Sequence, residues 1–184
     1  KDLAGKSIFM PQEIASGMQY MAMAGQSAKD IQENIKAATF LAQATVHQLG
    51  GKLGTADIMT NVMSGFQIDA KNSMQVADVL TMATNKANIG MLDLGEGMKY
   101  AMSTAHQLGI TVEETAAAMM VLGNSGIQGS MAGVATENLL RYYARAGSEW
   151  STGKVSKVMA SIGAGKEDVV DAEGNMRSIE DFMD

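Results

Sequence analysis

Residues 110–140 read ITVEETAAAMMVLGNSGIQGSMAGVATENLL, and this stretch is the strongest indication of the fold. Thr111 and Glu114 have the spacing of a capping box, in which each side chain accepts a hydrogen bond from the other residue's backbone N–H group. Small and apolar residues follow as far as residues 123–129, whose glycine, asparagine and serine favour a loop. Apolar residues recur at helical spacing from near Ser130 onward. The stretch therefore predicts two helices joined by a glycine-rich loop.

The same alternation of helical pattern and glycine extends over most of the chain. The first helix is predicted to start at Pro11, whose missing N–H group costs nothing at a first helical position, and to stop at Gly25. Ser27 is the predicted cap of the second helix, which the glycine pair at 50–51 ends. The remaining helices are predicted to begin at a Thr55 cap, near Asp69, after Gly90, after Thr111 and near Ser130. The sequence thus predicts an all-α fold, a compact multi-helix domain of about seven helices in helix–loop–helix units.

The composition changes after Gly147. A short amphipathic stretch carries Val155, Val158 and Ile162, and the turn-forming residues near 171–175 predict a small hairpin at about 169–177. We therefore divide the chain into a helical core, residues 1–147, and a small C-terminal subdomain, residues 148–184. A segment of this size cannot bury enough surface to fold alone, so we expect it to dock.

Composition and charge exclude several classes of function. The chain has 184 residues, of which 46% are hydrophobic and 18% charged, enough to bury one core. Its net charge is −6 and it has no cluster of Lys and Arg, which argues against specific nucleic-acid binding. It has no cysteine, which excludes thiol catalysis, disulfides and cysteine-ligated zinc. The 17 methionines, 20 glycines and single proline favour helices interrupted by glycine.

No constellation of residues indicates an enzyme or a cofactor. The two histidines, His47 and His106, are far apart and have no cysteine or metalloprotease motif beside them. The acidic residues near 171–175 begin like a calcium loop, but Met176 and Phe182 stand where that loop needs Gly and Glu. We therefore predict no catalytic residue, no metal ligand and no cofactor.

The uncharged run from Thr115 to Thr136 is long enough to span a bilayer. The glycine-rich loop lies in its middle, and exposed irregular backbone is not tolerated in lipid. We therefore expect a buried helix–loop–helix here.

Candidate contact residues lie in the loop and on methionine-rich helix faces. Methionine adapts to several packing partners, and the loop is longer than a simple helix hairpin needs. The candidates for interaction are Met18, Met98, Met119, Gly123, Asn124, Gly126, Gln128, Gly129 and Ser130.

Several ordered motifs resemble the conserved core of phage tail tape measure proteins. They run in order from about Ser7 to Phe182 and cover nearly the whole chain. The most specific is LGNSGIQGS at residues 122–130, followed by Ala132-Gly133. The others are GM at 17–18, MAMAG at 21–25, MSGF at 63–66, VADVL at 76–80, LGEGMKY at 94–100 and DAEGNMR at 171–177. The chain departs from the pattern at Met10, where such proteins usually have a capping Ser or Thr.

The resemblance implies a structural virion protein. Such proteins lie inside the phage tail, set its length during assembly in the host cytoplasm, and leave ahead of the DNA on infection. The implied partners are copies of the protein itself, the tail tip or baseplate hub, tail tube proteins and, during assembly, tail assembly chaperones. Membrane contact is expected only through parts of the protein outside this chain.

Two alternatives remain at the level of the sequence. The first is a helical adaptor unrelated to phages, which would bind partners through an apolar groove; the second is an enzyme domain. Even as one continuous helix, 184 residues would span only about 276 Å. We therefore expect this chain to be the folded part of a longer, extended protein rather than the ruler itself.

Overall fold

A computed structural model describes residues 8–149 of the chain, with side chains as far as 144. Within this range helices are the only regular secondary structure, as predicted. The helices are α1 (Pro11–Met23), α2 (Ala28–Ala44), α3 (Thr55–Gly65), α4 (Ser73–Lys86), α5 (Met91–Gln107), α6 (Val112–Asn124) and α7 (Gly129–Glu149). The expected hairpin at 169–177, and the rest of the C-terminal subdomain after Glu149, lie outside the described residues.

The local signals for helix ends are confirmed where donor and acceptor lie close in sequence. Ser27 Oγ accepts a hydrogen bond from the backbone N–H of Asp30 at 3.2 Å. Thr111 Oγ1 accepts from the backbone N–H of Glu114 at 3.2 Å, and the Glu114 carboxylate accepts from the Thr111 N–H at 2.7 Å. Pro11 is the first residue of α1. Each cap satisfies N–H groups that have no partner inside the helix.

Two predicted boundaries are wrong. Thr55 is the first residue of α3 rather than its cap; Gly54 takes the cap position, and the Thr55 hydroxyl instead donates to the Gln48 carbonyl at 3.0 Å. The second helix ends at Ala44, well before the glycine pair, because the next residues form a Schellman-type end. In this end Val46 has a φ of +51°, and the N–H of His47 donates to the carbonyl of Ala42 at 3.0 Å.

Two further boundaries shift by a few residues. The segment from Asp69 forms a short 3-10 turn at Ala70–Asn72, and α4 starts only at Ser73. The predicted loop at 123–129 is shorter, because α6 continues to Asn124 and α7 starts at Gly129. Residues 125–128 alone connect these two helices.

Helix α5 lies between α3 on one side and α7 on the other, and glycines allow both close approaches. A Cβ atom added at Gly95 would lie 2.9 Å from the Ile58 side chain of α3. A Cβ added at Gly133 of α7 would lie only 2.2 Å from the Gly97 carbonyl oxygen. The backbones of α5 and α7 are therefore in direct contact where Gly97 and Gly133 meet.

Over the described part of the chain, no helix combines the length and the apolar character that crossing a membrane requires.

Candidate interaction site

The connection between α6 and α7 is fastened to the connection between α4 and α5. Asn124 Oδ1 accepts a hydrogen bond from the backbone N–H of Asn88 at 2.9 Å. The Gln128 side-chain amide donates to the backbone carbonyl of the same residue. Gly126 and Gly129 have φ values of +83° and +58°, which glycine adopts without the strain that a Cβ would add. Much of the loop's polar character therefore serves to join two connections at one end of the domain.

The structure exposes only some of the candidate loop residues. Gly123 is buried, and a Cβ there would lie 3.2 Å from Ile89. Gln128 and Gly129 are half-buried, whereas Asn124, Gly126 and Ser130 are exposed. Of the candidate loop residues, these last three therefore offer the most surface.

The candidate methionines lie mostly in the core. Met98 and Met119 have 0% exposure, so neither offers surface to a partner. Met119 faces the α5–α7 contact, because its sulfur would lie 3.1 Å from a Cβ added at Gly97. Met18 is half-buried and packs against the core cluster. For Met98 and Met119 the expectation of a contact surface is corrected: helical spacing placed them on apolar faces, and those faces point inward.

Sequence reasoning missed an apolar groove on the outer side of α6 and α7. The groove has a volume of about 690 Å³. Val121 of α6 is 61% exposed and Leu139 of α7 is 60% exposed. The α6/α7 groove is lined by Ile110, Glu113, Glu114, Thr115, Ala117, Ala118, Val121, Leu122, Ala135, Thr136, Leu139 and Leu140. The uncharged run from Thr115 to Thr136 thus has one face in the core and another open to solvent.

The groove contains few polar groups, and they are distinctive. Thr136 is 1% exposed, and its hydroxyl has no hydrogen-bond partner among the described residues. Glu113 and Glu114 lie at the N-terminal end of α6, where the helix dipole favours negative charge. Glu113 accepts a hydrogen bond from Gln75 at 2.7 Å, and Glu114 belongs to the capping box. Neither carboxylate is ion-paired with a cation of the described part of the chain.

A smaller cleft of about 350 Å³ adjoins the groove and shares Ile110 and Glu113 with it. His106, Gln75 and Thr111 are among its lining residues. Among residues 8–149 no group of three His, Asp or Glu side chains is placed to hold a metal ion.

A packed all-helical domain with an open apolar groove has the architecture of a structural or interaction module. Comparison with known proteins identifies the family to which this module belongs. The chain belongs to the phage-related minor tail protein family, whose model matches residues 1–184. This membership makes it a phage tail protein and replaces the alternative of an adaptor unrelated to phages.

Two curated relatives carry the name of one kind of tail protein. The tape measure protein of Pneumococcus phage Dp-1 is 31% identical over 176 residues, covering 95% of this chain and 14% of that protein. The probable tape measure protein of Escherichia phage P2 is 31% identical over 125 residues, covering 67% of this chain and 14% of that protein. The chain thus spans 14% of the length of each relative. No solved structure matches this chain.

Proposed function

We propose that this chain is the folded domain of a tape measure protein, which sets the length of a phage tail during assembly. The match to two tape measure proteins, one over 95% of the chain, carries this proposal. The helices pack into a compact unit, so this domain does not itself provide the length of the ruler. That length comes from the much longer remainder of the protein, and the role of the domain is structural rather than catalytic.

In this proposal the protein lies in the tail lumen with the domain at or near the tail tip, and it leaves ahead of the DNA. Its partners are other copies, the tip or baseplate hub and the tube proteins, with assembly chaperones during assembly in the host cytoplasm. The family membership supports a place in the tail. The exposed loop residues Asn124, Gly126 and Ser130 support contact with protein partners, because they offer surface at one end of the domain.

Tail length tests the ruler. In a phage that encodes this chain, we expect an in-frame deletion of 100 helical residues outside residues 1–184 to shorten the tail by about 150 Å, because a helix rises 1.5 Å per residue. Electron microscopy of intact particles measures the change. As a control, the same segment is replaced by an unrelated helical sequence of equal length, which should leave the tail length unchanged. Tails of normal length after the deletion would contradict the ruler function.

The exposed end of the loop provides a second test, for its contact with a partner. Ser130 is exposed, and the side-chain hydrogen bonds that hold the loop to Asn88 come from Asn124 and Gln128 instead. We expect Ser130→Glu to leave the domain helical by circular dichroism and to reduce the yield of complete tails, because it places a charge in a protein contact. Gln128 is a poorer choice, since its amide holds Asn88. Normal tails from Ser130→Glu, with the protein present, would exclude this contact.

A further inference from the structure

The α6/α7 groove is open along its length. Its two most exposed apolar side chains are Val121 on α6 and Leu139 on α7. Ala117 and Ala118 also line the groove, and their small side chains project little from α6. Small side chains let a neighbouring helix approach closely. On α6 the groove extends from Glu113 to Leu122, about 13.5 Å at 1.5 Å per residue.

The sequence that follows α7 contains a segment that would form a helix of similar length. Residues 154–162 read KVSKVMASI. Val155, Val158, Met159 and Ile162 occupy positions i, i+3, i+4 and i+7, which lie on one face of a helix. Gly163 follows directly and is a suitable end for a helix. A helix of this length rises about 12 Å, which is close to the length of the groove.

We propose that residues 154–162 dock in the α6/α7 groove of their own chain as an amphipathic helix. The four-residue connection makes α6 and α7 an antiparallel hairpin, so α7 continues from Leu140 to Glu149 beyond the N-terminal end of α6. That overhang is about 13 Å. Residues 150–153, when extended, also span about 13 Å, and so return the chain to the level of Leu140. The docked helix then runs along the groove towards Val121.

Charge favours this direction. The docked helix enters the groove with Lys154 and Lys157, and the end it enters carries Glu113 and Glu114. These two carboxylates have no cationic partner within residues 8–149. The docked helix supplies two cations there, and its apolar face covers Val121 and Leu139.

A cysteine cross-link tests the docking in the full 184-residue chain, which has no cysteine of its own. We expect Leu139→Cys combined with Val158→Cys to form a disulfide under mild oxidation while the protein keeps the mass of one chain. A disulfide requires Cα atoms within about 7 Å, so it reports close approach. The matched control pairs Val158→Cys with Met82→Cys; Met82 of α4 is 52% exposed and does not line the groove. The control pair should form its disulfide at least tenfold more slowly.

The products distinguish the possible occupants of the groove. Equal rates for the two pairs would overturn the proposal. A main product that joins two chains would also overturn it and would assign the groove to a second copy. The polarity has its own test: Glu113→Lys should slow the intrachain disulfide about two- to fivefold, the effect of one exposed ion pair, and Lys157→Glu should restore the rate. An unchanged rate would overturn the placement of the lysines beside Glu113. All these outcomes are independent of the tape measure function.

Discussion

Gly133→Leu is expected to lower the free energy of unfolding by about 3–5 kcal/mol, because it forces α7 away from α5. Even the first carbon of a side chain at position 133 would lie 2.2 Å from the Gly97 carbonyl oxygen and 2.8 Å from the Gly97 Cα. Backbone atoms cannot rotate aside as a flexible side chain can, so the helices must separate. The loss should appear as a fall in melting temperature of about 6–20 °C, measured by circular dichroism.

Gly133→Ala sharpens this prediction, because its two effects oppose each other. In an unhindered helix the change from Gly to Ala stabilises by about 1 kcal/mol. Here the added Cβ meets the Gly97 backbone, so we expect a net loss of stability. Val134→Ala is the matched control on the next residue, since Val134 is 41% exposed, and it should change stability by no more than about 0.5 kcal/mol. A more stable Gly133→Ala protein would show that the two backbones are not in contact.

The helix ends that could be predicted are those whose chemistry is local. Ser27 with Asp30, and Thr111 with Glu114, each lie three residues apart, so one short stretch of sequence contains both partners of the cap. The ends that could not be predicted use residues with no such signal. Val46 and Gln67 adopt φ values of +51° and +53° just after the ends of α2 and α3, in the left-handed region that normally indicates glycine or asparagine.

The close contact between Gly97 and Gly133 illustrates a second limit. Both residues lie inside helical patterns, where the sequence identifies an isolated glycine only as a weak point. Whether such a glycine allows two helices to approach closely depends on which helix packs against it, and that is a property of the tertiary fold. Once α5 and α7 are packed together, the reason for both glycines is clear, because a side chain at position 133 would overlap the backbone of Gly97.

The candidate site was predictable in part for the same reason. The absence of charge from Thr115 to Thr136 is visible in the sequence and correctly indicates an unusual helix hairpin. The spacing of apolar residues does not show which faces of such a hairpin are buried, because that depends on which other helices pack against it. The prediction therefore expected burial, whereas the structure leaves Val121 and Met131 of this run more than half exposed.

For Met98 and Met119 the sequence analysis made the opposite error, because it expected contact surfaces where the structure has buried side chains. Replacing either methionine is therefore expected to have a large effect on stability. Met98→Ala or Met119→Ala is expected to lower the free energy of unfolding by about 2–5 kcal/mol, because each removes a completely buried side chain and leaves a cavity. Met98→Leu should cost less than about 1.5 kcal/mol, since it conserves volume and apolar character. Urea denaturation followed by circular dichroism measures all three variants.

Met131→Ala is the matched control, because Met131 is 71% exposed and its truncation leaves no cavity. We expect it to change stability by no more than about 0.5 kcal/mol. The comparison separates a core role from a contact role. If Met98 or Met119 contacted a partner at the surface, its alanine variant would keep the stability of the unaltered protein and lose complete tails. For a residue in the core, by contrast, the variant loses stability, and any loss of tails follows from the smaller folded fraction of the protein. Cooling the cells should therefore restore tails to Met98→Ala. Cooling should not restore tails to a variant that folds normally but lacks a surface contact.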